Sequence, residues 1–405
     1  MHNRFGVSLL SSCCVFCLGV MSITPACSAQ TSGYTRPVQK PAPPIAYVYV
    51  SQAPTIPGPN QVIGFAAAPT GLLTPIAGSP FQADVNRMAV NGKYLFGGTT
   101  DELYLNAYTI EKDGALTFAV ANDIGKMTGG VDIAGSTIFL TLDHSGATPY
   151  DLRLNGDGSD NGVYETYVID KATGAMTSPP GFSLGTGNNM DAPGAFTFSA
   201  NDKYMYGVHS GWAGYDVQMS LRASSGALLV PPAATPPIPR PVDTTGYRFN
   251  PIGISADPSN HVAVAFANEE GNMGPEIGPN QLGVYTANSG GILTTTCNYT
   301  NMPQVAVGDV TLKMAPSGKL LAAFGSKGLQ VFHFNGGDPI TAYKTLVENV
   351  DFEGAFWDNN NHLFAVSQKT GRLYVFTVTP TSSSQAPGAP YSIPGAQSLI
   401  VQPLR

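Results

Sequence analysis

A polar turn followed at once by a short alternating apolar run recurs along this chain. The copies are "NGKYLFGG" (91–98), "AGSTIFLT" (134–141), "NDKYMYGV" (201–208), "SNHVAVAF" (259–266), "SGKLLAAF" (317–324) and "NNHLFAVS" (360–367). Strand side chains point alternately to the two faces, so such a run reads as a strand, and the turn before it completes a hairpin with the apolar run upstream. One hairpin cannot bury its apolar face alone. Copies of it must therefore pack on one another, and the chain is expected to be a repeat architecture of β-units.

Each unit continues in the same way. A third strand carries an aromatic at a repeated place: Phe65, Tyr108, Tyr167, Tyr285, Phe332 and Phe376, with Met219 in the odd unit. A glycine and a fourth short strand follow, as in "GLLTPI", "GALTFA", "GAMTSP", "GALLVP" and "GILTTT". Four antiparallel strands per unit make the blade of a β-propeller. Innermost strands are expected near 86–90, 130–134, 195–200, 252–257, 310–315, 353–357 and 397–402. Second strands are expected to begin near Ala46, 93, 136, 203, 261, 319 and 362. The fold class is therefore all-β, a seven-bladed propeller. Its chain starts on a second strand, "AYVYV", and ends on an innermost one, "QSLIV", so the C-terminal strand is expected to close the N-terminal blade and leave no open edge.

Spacing locates extra material. Lys93 to Ser136 and Lys319 to His362 are each 43 residues, a normal blade. The steps between are longer, and the excess falls at 141–162, 231–247 and 267–280. These are read as loops joining second to third strands or one blade to the next, which leave a blade on the same face. One elaborated face opposite a face of tight turns is where a ligand is expected.

The first residues are a separate matter. Arg4, the largely apolar stretch Val7 to Ile23, and small residues at Ala26, Ser28 and Ala29 have the layout of a secretory signal spanning 1–29. A lipid anchor on Cys27 is the alternative. Residues 30–45 are a Pro-rich linker and 46–405 the propeller. The protein is expected to be exported, periplasmic or extracellular, with no transmembrane segment. Cys13, Cys14, Cys17 and Cys27 fall in the leader. Cys297 then stands alone, which excludes an intramolecular disulfide and a cysteine-based zinc site. Charged residues are only 12%, the net charge is −7, and Gly (46) and Pro (33) are abundant, as many short strands and turns require. Without clustered Lys and Arg, nucleic-acid binding is not expected.

Few residues carry chemistry. "NGDGSDNG" (155–162) clusters oxygen ligands suited to Ca²⁺ through Asn155, Asp157 and Asp160, although Arg153 and Tyr164 occupy places where a calcium loop has carboxylates. No other cofactor is expected. His261 and His362 take the slot of Lys93, Lys203 and Lys319 on the tight-turn face, and His333 lies beside an aromatic position. His144 and His209 are read as following second strands on the long-loop face. With Trp212, which can stack on a sugar, and Arg248, they are the candidate ligand-binding residues. Arg87, Asp309 and Glu353 stand near inner-strand entrances, where they would line the mouth of a central channel. With His209 they are the candidate catalytic residues.

The repeats, "AYVYVS" and "GLLTPIAGSPF" resemble the seven-bladed lactonase-like propellers, the 6-phosphogluconolactonase-type enzymes and YVTN-type repeat proteins, across about 46 to 405. In enzymatic members an inner strand opens on Pro-Arg-His, and the resemblance implies that this Arg and His bind or activate a lactone. Here Pro193 is followed by Gly194 and Ala195; another blade has Asn86 and Arg87; Gly253, Thr311 and Gly354 fill the histidine slot elsewhere. No imidazole remains at these places. The expectation is a monomeric, non-catalytic module that binds a small polar ligand, a carbohydrate or a protein on the long-loop face. The alternative is a divergent lactonase working at the channel mouth.

Overall fold

The computed structural model describes residues 42–54, 58–128, 137–154, 162–185, 192–210, 216–229, 241, 248–269 and 278–404. They form seven sheets of four or five antiparallel strands and one two-stranded ribbon, with a single described helix, the short Ile124–Met127. Each sheet is one blade of a seven-bladed propeller. The inner strands are Asn86–Val90, Thr137–Leu142, Ala192–Phe198, Arg248–Ala256, Thr311–Met314, Gly354–Trp357 and Ala396–Pro403. The last pairs with Ala46–Gln52, so the C-terminal strand completes the N-terminal blade as expected.

The repeated residues now have physical roles. Phe65, Tyr108, Tyr167, Tyr285, Phe332 and Phe376 are all buried, and the apolar clusters lie between the faces of neighbouring sheets. Second-strand tyrosines tie four of the blades to the next. Tyr47 and Tyr49 hydroxyls donate to the carbonyls of Lys112 and Gly114. Tyr94 reaches Ala172, Tyr150 reaches Gly226, and Tyr204 and Tyr206 reach Ser289 and Gly291. The glycine in the turn before the fourth strand serves this contact in two of these blades. Gly114 and Gly291 have φ of +87° and +81°, and a Cβ there would lie 2.7 Å and 2.6 Å from the Tyr47 and Tyr204 rings. His261 and His362 take the corresponding place in their blades, against Gly336 and Gly71. Each is clamped by the aspartate four residues before it, Nδ1 meeting Asp257 at 2.9 Å and Asp358 at 2.6 Å.

The third blade departs from expectation. "AGSTIFLT" contains its inner strand, Thr137–Leu142, rather than a second strand, so the inner strand expected at 130–134 is displaced. The second strand is Pro149–Leu154 and the third begins at Gly162. Residues 149–154 of the supposed insertion 141–162 are thus a strand. Its two charges, Asp151 and Arg153, are both buried, 0% and 1% exposed. His144 moves with the register. It lies in the turn between the inner and second strands, at the tight-turn end and not on the long-loop face.

Candidate functional site

The seven inner strands surround a cavity of about 480 Å³ along the propeller's centre. Alternation on these strands presents every second side chain to it. At the entrance end stand Arg87 and Glu353, and both line the cavity. Arg87 lies in a bulge between Asn86 and Ala89 and holds φ at +48°, a left-handed conformation that costs a non-glycine residue about 1–3 kcal/mol. Its own N–H donates to Asn86 Oδ1 at 2.8 Å, which braces the turn. Bulges of this kind re-aim a side chain. Burial raises the Glu353 carboxyl above its ordinary range, against the N–H of Gln368 donating to Oε2 at 2.6 Å and the nearby charge of Arg87.

Deeper in the cavity are groups that the sequence patterns did not single out. Lys313 is the only charged side chain of the inner strands beyond their entrances, and its Nζ lies 4.2 Å from the centre of the Phe356 ring. The hydroxyls of Thr197, Ser255 and Ser398 join it. Thr197 Oγ1 accepts from the N–H of Ala256 at 3.1 Å, and Ser255 Oγ from that of Met314 at 3.0 Å, so both also stitch neighbouring blades. The available signal was the pattern "TLKM", a lysine inside a strand that elsewhere carries apolar or small residues.

The other expected site residues are scattered. Asp309 is exposed and does not line the cavity. His144 borders the far end, its Nδ1 2.6 Å from Asp202 Oδ1, and that bond raises its pKa. His209 does stand at the end of a second strand, Tyr204–Ser210, but its ring is buried between blades, where Nε2 meets the Tyr164 hydroxyl at 3.1 Å. Gly207 makes that contact possible, since a Cβ there would sit 2.4 Å from the hydroxyl. Trp212, Asn155, Asp157, Asp160 and the side chain of Arg248 lie outside the described residues, as does most of the insertions 231–247 and 267–280. Among the described residues no cluster of three or more His, Cys, Asp or Glu is placed to hold a metal ion. None of their helices is long and apolar enough to cross a membrane.

Burial pushes His209 down to about 4. The unfolded chain, with an ordinary value near 6.5, takes up a proton first as pH falls. This contribution is therefore fully present above about pH 6.5 and is lost as pH falls towards 4, about 3 kcal/mol in all. Chemical denaturation of the full chain and of His209→Gln between pH 7 and 4 should show a steeper acid loss in the parent. Parallel curves would refute it.

Comparisons with known proteins agree with the architecture. No family model matches the chain, and no curated protein matches it in sequence. Among solved structures, it is similar to the periplasmic gluconolactonase of Pseudomonas aeruginosa at 12% identity and TM-score 0.63, covering 89% of this chain and 99% of that one. A protein from Lactobacillus plantarum superposes at 12% identity and TM-score 0.62, covering 88% and 99%. A putative 6-phosphogluconolactonase from Bacteroides fragilis gives 12% identity, TM-score 0.59, and coverage of 88% and 97%. The chain has the fold of the lactonase-like seven-bladed propellers.

Proposed function

We propose that this protein is an exported propeller that binds a small polar ligand at the entrance of its central channel and does not turn it over. The observation that carries the reading is Arg87, held in costly left-handed backbone at the rim of the cavity and facing it together with Glu353. Strain of this sort persists where the surrounding structure maintains it for a purpose. Hydrolysis of a lactone needs a base for water and donors for the developing oxyanion. The histidine that would serve as base in the enzymatic pattern is replaced by Ala195, Gly253, Thr311 and Gly354. The histidine that borders the cavity, His144, is at the far end and engaged by Asp202. Export is supported by the leader-like layout of 1–29 and agrees with the periplasmic location of the Pseudomonas neighbour.

Glucono-1,5-lactone and gluconate are suitable probes, given the activities named for the neighbours. In thermal-shift measurements on the full chain, one or both should raise the midpoint, and Arg87→Ala should remove the shift. A ligand at a hundred times its Kd stabilises by about 2.7 kcal/mol. Lactone opening should proceed at the buffer rate. Accelerated opening that disappears in Glu353→Gln would replace this reading with the lactonase one, in which Glu353, its carboxyl raised by burial, serves as base beside the Arg87 cation.

A further inference from the structure

Lys313 is a cation in the wrong place for stability alone. Its side chain enters the channel past the mouth, and among the described residues no carboxylate lies within ion-pair distance of it. Burial lowers its ammonium to about 8, and no neighbouring carboxylate offsets that. An apolar residue of similar volume would avoid the desolvation cost of an unpaired charge. What keeps the cation in place is the face of Phe356, 4.2 Å from Nζ, an attraction that exists only for the charged form.

The surroundings select for an anion. Charged groups lining the channel are Arg87 and Glu353 at the mouth, Lys313 within, and His144 at the far end. Two groups cationic at pH 7, Arg87 and Lys313, therefore face one carboxylate that burial already shifts towards neutrality, inside a chain whose net charge is −7. A low-dielectric passage of this kind concentrates small anions. Hydrogen-bond donors are also at hand. Ser398 Oγ is buried without a partner, while Thr197 and Ser255 accept from the backbone and keep their hydroxyl hydrogens to donate. The rest of the wall is largely apolar, including Met88, Leu312, Phe356 and Leu399. A phosphate would bring a second charge to a place with one ammonium and no guanidinium fork, so the chemistry favours a monoanion.

We propose that the inner part of the channel is a receptor site for a small organic carboxylate with an apolar body. Lys313 takes the carboxylate, Ser398 and its neighbours donate to the carboxylate oxygens, and Phe356 and the apolar wall take the body. The inference rests on the channel being a ligand site, and it assigns the stretch beyond the polar entrance a ligand class of its own. A cavity of about 480 Å³ falls within the range of small-molecule sites, about 300–1,000 Å³.

Isothermal titration of the full chain with 4-phenylbutyrate and its neutral isostere 4-phenylbutyramide tests it. At pH 7 the acid should bind about ten- to a hundredfold more tightly than the amide. Lys313→Met, close in shape, should fold with an equal or higher melting temperature and lose that preference. In the parent the preference should decline as pH rises through about 8, and the decline should vanish in Lys313→Met, which keeps Arg87, Glu353 and His144. Equal affinity for acid and amide, no binding of either, or a preference that survives Lys313→Met would overturn the proposal. A preference lost in Arg87→Ala but kept in Lys313→Met would place anion recognition at the mouth, so this inference would fail while the binding reading stood. That reading fails on its own test, if neither lactone nor gluconate shifts the midpoint.

Discussion

A chain ending at Gly395 should lose its cooperative unfolding transition. The strand this removes, Ala396–Pro403, is the inner strand of the N-terminal blade, paired along the length of Ala46–Gln52. It buries Ala396, Leu399, Ile400 and Val401, and its loss exposes a second strand whose residues Ala46 to Ser51 are buried. Burying side chains of this size is worth about 1.5–3 kcal/mol each, so the strand's contribution approaches the whole stability of a typical domain, about 5–15 kcal/mol. The cut would also leave Phe356 and Met88 with a gap between their strands, opening the wall of the cavity. Denaturant unfolding followed by tryptophan fluorescence and far-UV circular dichroism should change from one shared transition to broad, non-coincident ones. A truncated chain that still unfolds in a single sharp step would show that closure is dispensable.

Arg153→Met should destabilise the protein by about 3–5 kcal/mol at pH 8, because it strands two buried carboxylates. Asp151 and Glu165 face each other across the second and third strands of blade three, both 0% exposed. Arg153 Nη1 lies 3.4 Å from Asp151 Oδ2, Thr137 Oγ1 donates to the same oxygen at 3.1 Å, and the Tyr167 hydroxyl donates to Glu165 Oε2. Nη2 also donates to the carbonyl of Glu102 at 3.3 Å, tying blade three to blade two. Burial pushes Asp151 up to about 7, with Arg153 opposing and Glu165 adding to the rise. Since the ordinary aspartate value is near 3.9, the folded chain holds this proton more tightly than the unfolded chain. Acidification from pH 8 to 5 therefore favours the fold at this site, and the penalty of Arg153→Met should shrink over the same interval. Asp151→Asn in the Arg153→Met background should recover part of the loss at pH 8. Melting temperatures of the three proteins at both pH values decide it. A loss below about 1 kcal/mol at pH 8 would mean that the cluster is solvated after all.

The same cluster explains where sequence reasoning stopped. Blade repetition was legible because alternation, the buried aromatic and the positive-φ glycine recur together, each serving the same contact between neighbouring sheets. "AGSTIFLT" defeated the pattern in blade three, since it matches the second-strand copies and so left the actual second strand, with Asp151 and Arg153, in the excess spacing. That displaced blade three's register and carried His144 to the wrong end of the propeller. Of the three residues read at strand entrances from the turns, Arg87 and Glu353 line the channel and Asp309 does not. Lys313 was passed over because a lysine is ordinarily a surface residue; only knowing which inner-strand positions face the channel gives it meaning. His209 lies at the strand end expected of it, but nothing in its neighbourhood of sequence tells that Tyr164, from another blade, covers it.

The claim that the channel binds and does not catalyse is most directly tested by ligand-observed saturation-transfer NMR on the full chain. Glucono-1,5-lactone and gluconate would be present in one sample, so binding and turnover are read together. Saturation should pass to one or both, vanish in Arg87→Ala, and leave the lactone decaying at the rate seen in buffer. Lactone consumption well above that rate, restored to it by Glu353→Gln, would contradict the account.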